Sequence, residues 1–336
     1  MTKRLKVNYP SIADILRTSH NYIAPNNQGI DTIQQIVKYS VFKKMADKLG
    51  LTIEAMPNNK KLNKKIADEI KADSKKRLTA DKFTPIVERI KLPKVDPKDK
   101  ALYISIVRNT PTLFDVATHH KKAKDSFCLV TYAGLHQPTK KVSGDAMKII
   151  SKFLRRKTFK VHSVDIAIDT KDHRAITNNR KETFKSNLMP YSKQGVIIKG
   201  SSLYINNLEH HSISRIIYYD KYLKQLNQQK KEIITDDLNQ WKRLEITLTF
   251  DVTKKENKGF THYIDSINFI DDLYEVEAVA KLAGIENYDN DFLVYQLNSF
   301  IDNRTMNNHE SQKQFNSVEA LERFKQSEFR RYLLPM

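Results

Sequence analysis

Runs rich in Ile, Val, Leu, Tyr and Phe occupy Tyr103–Arg108, Phe127–Tyr132, Lys160–Thr170, Val196–Ile205, Ser212–Tyr219 and Arg243–Val252, and in Lys160–Thr170 and Arg243–Val252 apolar and polar residues alternate with a period of two. These stretches read as strands. Helical spacing replaces the alternation elsewhere. Ser11–Ser19 and Asp31–Leu49 repeat apolar residues near every 3.6 positions; in the second, Asp31 fits an N-cap and Ile33, Ile36, Val37, Val41 and Met45 form a stripe. Lys60–Lys76 reads as a basic helix, Gly144–Arg156 as another and Lys221–Lys231 as a polar one. Helical patterns return at Tyr263–Leu282, Asp291–Arg304 and Val318–Leu333. The order of elements is not a regular βαβ series. It predicts an α+β fold, with a central, mainly antiparallel sheet plus helices, flanked by helical N- and C-terminal regions.

Two of these strands carry unusual polar faces. In Val164-Asp165-Ile166-Ala167-Ile168-Asp169-Thr170, Asp165 and Asp169 share one side while Val164, Ile166 and Ile168 share the other. In Trp241–Phe250, Leu244, Ile246, Leu248 and Phe250 point one way and Arg243 and Glu245 the other. Between them lies Arg215-Ile216-Ile217-Tyr218-Tyr219-Asp220-Lys221. Tyr219 shares a side with Arg215 and Lys221, whereas Tyr218 points with Ile216 and reads as core.

Such a set suits metal-dependent phosphodiester chemistry. Mg²⁺ and Mn²⁺ take oxygen ligands, and Asp165, Asp169 and Glu245 supply three carboxylates. Arg243 is placed to neutralise phosphate charge, or else forms an ordinary ion pair with Glu245 or an aspartate. A tyrosine hydroxyl can attack a phosphodiester and hold the strand as a phosphotyrosine. Its phenol titrates near 10 in isolation, so it needs a metal, base or cation beside it. Other chemistries lack support. The pairs His119-His120 and His210-His211 do not place two imidazoles on one strand face. No phosphate-binding GxxxxGK[ST] loop, GxGxxG, HExxH or GxSxG occurs.

Charge adds a partner. The chain has 336 residues and a formal net charge of +19, and nucleic acid is the commonest polyanion for such a protein. Lys and Arg outnumber Asp and Glu two to one in the first 100 residues. A second block comprises Lys140, Lys141, Lys148, Lys152, Arg155, Arg156, Lys157 and Lys160. Of these, Lys140, Lys141, Lys148, Lys152, Arg155 and Arg156, together with Arg215, are the expected DNA-binding set, and their contribution falls with salt. Solvated helix faces account for part of the same charge. The single cysteine, Cys128, sits in an apolar run and reads as a buried thiol. No apolar run spans a membrane and no signal peptide opens the chain, so a cytoplasmic protein is expected.

Three segments together resemble a known family. Ser201-Ser202-Leu203-Tyr204-Ile205-Asn206-Asn207, Arg215–Lys221 and Trp241-Lys242-Arg243-Leu244-Glu245-Ile246-Thr247-Leu248 look like the replication initiation factor family, the rolling-circle initiators of plasmids and some phages. Its members show an acidic strand, then "LYIG", "R-I-Y-D-K" and "W-x-R-x-E" strands. The resemblance covers about residues 100–255. It implies an enzyme that binds origin DNA, nicks one strand through a tyrosine and rejoins it. Residue by residue, it implies Tyr219 as nucleophile and the metal at Asp165, Asp169 and Glu245; Arg243 and Lys221 complete the expected catalytic set. Asn206 and Asn207 stand where the family usually has glycine and serine, and no acid follows within a few residues of Lys221.

The Pro-rich, charged stretch Lys91–Lys100 marks a boundary. The expected organisation is a basic helical region over 1–95, an α+β nicking and joining domain over 100–255 and a helical region over 260–336. The flanks are open to origin recognition, host helicase contact or homodimerisation. The competing readings are a DNA-binding initiator or phage or plasmid regulator without catalysis, and an RNA-binding accessory protein using the same basic surface.

Overall fold

The computed structural model describes residues 27–56, 85–94, 97, 101–122, 126–136, 142–171, 196–199, 202–206, 213–228, 240–264, 272, 276, 279 and 280. The helices expected at 11–19, 60–76, 291–304 and 318–333 lie outside these residues, as do Lys140 and Lys141.

Ten described strands form one sheet: β1 (Asn27–Lys38), β2 (Ile53–Ala55), β3 (Ile86–Lys91), β4 (Tyr103–Arg108), β5 (Phe127–Ala133), β6 (Lys160–Lys171), β7 (Val196–Lys199), β8 (Ser202–Asn206), β9 (Ile213–Asp220) and β10 (Trp241–Thr249). Their order is β2-β3-β4-β5-β1-β6-β10-β9-β8-β7, and every described ladder is antiparallel. The helices are α1 (Tyr39–Lys48), α2 (Pro111–His119), α3 (Gly144–Leu154), α4 (Lys221–Gln228) and α5 (Phe260–Ile264). The α+β architecture with a mainly antiparallel sheet is as the alternation implies.

The two faces of the sheet differ. One carries Ile33, Val37, Ile104, Ile106, Val130, Ile166, Ile168, Leu244, Ile246 and Tyr218, and these pack in one core with Phe42 and Met45 of α1 and Met147, Ile150 and Phe153 of α3. Phe42 and Phe153 stack at 5.4 Å. Cys128 is buried in this core, and burial pushes its thiol up. The opposite face carries a small apolar cluster at one end, where Leu113, Val116 and Ala117 of α2 meet Ile36, Phe127 and Val252. Most of the rest of that face is polar, with Ala167 and Ile217 as apolar exceptions.

The segment 31–49 is a correction. It is not one helix: β1 runs through Lys38 and only then does α1 begin. Thr32, Ile33, Ile36 and Val37 are β-branched, and β1 is buried on both faces, with Ile33 and Val37 on one side and Ile36 on the other. Register shifts beside Ile30 and Gln34 complete an i, i+3, i+4 spacing that imitates a helix. β1, β2 and β3 therefore join the same sheet as the later strands, and the β3–β4 ladder spans the Pro-rich boundary. The Val196–Ile205 strand is likewise two strands, with Lys199 paired to Ser202.

Candidate active site

Three rungs cross the polar face where β6, β10 and β9 run side by side. On the first, Asp169 faces Arg243 and Arg243 faces Tyr219. On the second, Ala167 faces Glu245, which faces Ile217. On the third, Asp165 faces Thr247, which faces Arg215. Adjacent rungs are two residues apart, so Asp165 and Asp169 stand about 13 Å from each other along β6.

That spacing corrects the three-carboxylate metal site, because one cation cannot bridge those two aspartates. Among the described residues no three His, Cys, Asp or Glu side chains stand together as metal ligands. Asp169 is wholly buried and fully engaged. Its Oδ1 accepts from Arg243 Nε (2.6 Å) and Trp241 Nε1 (2.7 Å), and its Oδ2 accepts from Arg243 Nη2 (2.7 Å) and lies 3.0 Å from His136 Nε2. Burial alone would raise this carboxyl. The Arg243 charge and the contacts from His136 and Arg243 outweigh it and hold Asp169 well below the usual carboxylate range.

Arg243 is equally used up. It is 0% exposed, and its remaining donors reach Asp31 Oδ1 (3.1 Å) and the His136 carbonyl (2.9 Å). It is the ion pair with an aspartate, not a group open to a scissile phosphate. Sequence reasoning missed Asp31 as its second anion, because Asp31 was read as a helix cap. It also missed His136, which no pattern flags. Trp241 is core, and Lys242 points away from this face to Asp220, 2.7 Å from Oδ2.

Around Glu245 side chains from all three rungs do come together. Tyr219 donates its hydroxyl to Glu245 Oε2 at 3.1 Å, and Lys221 Nζ donates to the same hydroxyl at 3.4 Å. Arg215 Nη2 lies 3.7 Å from Glu245 Oε1 and 3.9 Å from Asp165 Oδ1, with 40% of its side chain exposed. Thr247 Oγ1 accepts from Arg215 Nε (3.2 Å) and donates to Asp165 Oδ1 (2.7 Å). Thr247 was legible from the alternation of β10 but was not singled out. Tyr218 lies in the core on the opposite face.

Burial dominates the electrostatics here. It pushes the Tyr219 phenol well above its ordinary value; Arg243 opposes this, and Glu245, Asp31 and Asp169 reinforce it. Burial, then the Arg243 charge, lowers the Lys221 ammonium to about 7. Lys221 sits 5.5 Å from the Trp241 ring and 5.7 Å from the Tyr219 ring. Lys224, from the next turn of α4, lies 4.2 Å over Tyr219. Asp165 is raised to about 6 by burial and then by the charge of Glu245. Two close carboxylates, one of them held up by the other, are a donor set that a hard cation with phosphate and water ligands fits.

Among the described residues expected to bind DNA, Arg215 lies beside the site on this face. Lys148 and Lys152 are exposed on α3, and Arg155 and Arg156 follow it; α3 packs on the apolar face, so the sheet separates them from Tyr219.

Neither a family model nor a curated protein matches the chain. Among solved structures, a rolling-circle replication initiator protein from Geobacillus stearothermophilus is similar at 15% identity and a TM-score of 0.31, over 82% of this chain and 95% of its own. A likeness of that strength carries no argument about this chain. No described helix is long and apolar enough to cross a membrane.

Proposed function

We propose that this chain is a rolling-circle-type replication initiator that binds origin DNA and nicks and rejoins one strand through Tyr219. The observation that carries the reading is the Tyr219 hydroxyl held between Glu245 and Lys221, with Arg215 two rungs away reaching the same Glu245 carboxylate. Burial keeps the phenol protonated at rest, so its proton must leave as it attacks, and Glu245 already accepts it. The phenolic oxygen bonds to phosphorus, the bond from phosphorus to the 3′ oxygen breaks, and that oxygen leaves as a hydroxyl after taking up a proton. The reverse step rejoins the strand. Lys221 donates to the oxygen that loses its proton, Lys224 lies over the Tyr219 ring, and Arg215 offers guanidinium donors to the phosphate. Mg²⁺ or Mn²⁺ would be held by Asp165 and Glu245, with Asp169 excluded, and would supply Lewis-acid polarisation of the phosphate.

The test is a covalent DNA adduct on a denaturing gel after incubation with Mg²⁺ and single-stranded or supercoiled DNA of the replicon that encodes the chain. Wild type and Tyr218→Phe should form it, and Tyr219→Phe should not. Adduct in Tyr219→Phe overturns the assignment. Binding without adduct or metal requirement selects the initiator without catalysis.

A further inference from the structure

A second basic surface lies at the far end of the polar face. α2 ends on His119, and His120, Lys121 and Lys122 follow, all exposed. Lys38, also exposed, closes β1 opposite Phe127; Lys160 opens β6. Lys160 Nζ donates to the carbonyl of Lys254 at 2.8 Å, which brings the segment after β10 into the group. His119 and His120 meet edge to face at 5.2 Å, and His120 lies 5.8 Å from Phe127. The small apolar cluster beneath α2 fixes these residues in place. Partial burial, then the charges of His119, Lys160, Lys38 and Lys122, hold the His120 imidazole below its ordinary value, so the cations act on one another. Acids stand near them too: Asp115 one turn before His119 on α2, Glu256 two residues after Lys254, and Asp251, held down by Thr253 and then by Lys254 and His119.

Polar side chains continue from this cluster to the site. Gln34 Nε2 reaches Thr131 Oγ1 (3.4 Å), Ser163 Oγ donates to Gln34 Oε1 (2.8 Å), and Ser214 and Thr249 share a hydroxyl contact at 2.7 Å. Thr247 and Arg215 come next. Lys160 and Asp169 are nine residues apart on β6, about 30 Å, and Asp169 is level with Tyr219 across β10. At 3.4 Å per base step that length matches about nine steps of DNA.

We propose that the cluster of Lys38, His119, His120, Lys122, Lys160 and Lys254 grips the phosphate backbone of a duplex arm about 30 Å from Tyr219. The polar face between them carries the DNA into the site. The direction of that path rests on Tyr219 as the nucleophile; the grip itself does not.

The experiment uses full-length Tyr219→Phe, which forms no adduct, and a hairpin of arbitrary sequence with a stem of about 12 base pairs and a single-stranded tail. Fluorescence anisotropy gives log K against log salt between about 50 and 200 mM. Adding Lys38→Gln, Lys122→Gln and Lys254→Gln should flatten the slope by about 2–3, since each lost phosphate contact removes roughly 0.9. Lys148→Gln with Lys152→Gln should leave it unchanged. A stem of about 5 base pairs, too short to span the face, should erase the effect of the triple substitution. An unchanged slope in the triple variant, an equal loss in the α3 variant, or an effect that persists on the short stem overturns the proposal. Adduct formation by the wild type with unaltered slopes sinks the grip alone; the expected slopes without adduct sink only the Tyr219 reading.

Discussion

Asp165 and Asp169 leave the same strand on the same face, yet they do opposite things to stability. Asp169 neutralises a buried guanidinium, so Asp169→Asn leaves Arg243 with Asp31 as its remaining described anion. Breaking such a pair from one side costs about 3–5 kcal/mol, which urea denaturation should register. Asp165 is strained by its surroundings instead. Its folded pKa, about 6, lies above the ordinary carboxylate value, so the folded state holds the proton more tightly than the unfolded chain does. Stability is therefore lost as pH rises through about 6. Asp165→Asn, measured with a chelator present, should gain about 2–3 kcal/mol near pH 8, and the gain should vanish by about pH 4. Alternation along β6 and β10 was enough to put Asp165, Asp169, Arg243 and Glu245 on one face. It says nothing about level along the strand, which ladder register decides. That is why Asp169 read as a metal ligand and Arg243 as a phosphate contact, whereas in the structure they pair with each other.

At the scale of elements, the joints are small polar contacts. Ser143 Oγ accepts from Ala146 N at 3.1 Å, capping α3, and donates to the Pro93 carbonyl at 2.7 Å, tying α3 to the segment after β3. Ser143→Ala should cost about 1–2 kcal/mol in chemical denaturation, and a change near zero would mean water replaces both bonds. The elements legible in sequence, β4, β5, β6, β9, β10 and α3, each bury one clean side in the main core. β1 was not legible because both its sides are buried and its register shifts. The β7–β8 division was written in Gly200-Ser201, a two-residue hairpin signal inside a longer apolar run. α2 was missed although Thr110 and Pro111 form an N-cap and first-turn proline.

Across the whole molecule, the sheet divides its labours by face and by position. One face is covered by α1 and α3, and the other presents the site at one end and cations at the opposite end. β1, β6 and β10 are central, whereas β2 and β7 are edges. Backbone amides such as those of Ile166 and Ile246, buried in strands that are paired on both sides, should exchange hydrogen only on global unfolding. Those of β2 should exchange first, through local opening. Native-state exchange read by mass spectrometry checks this ranking, and equal protection of β2 and β6 would contradict it.

The central place of β1 has a consequence during synthesis. Both its neighbours, β5 and β6, are encoded far downstream, and the last β6 residue follows Lys38 by 133 positions. At about 5–20 residues per second, a nascent β1 waits roughly 7 to 27 seconds outside the ribosome with an edge still unpaired. During that interval its Ile- and Val-rich length is the part of the chain most in need of a chaperone.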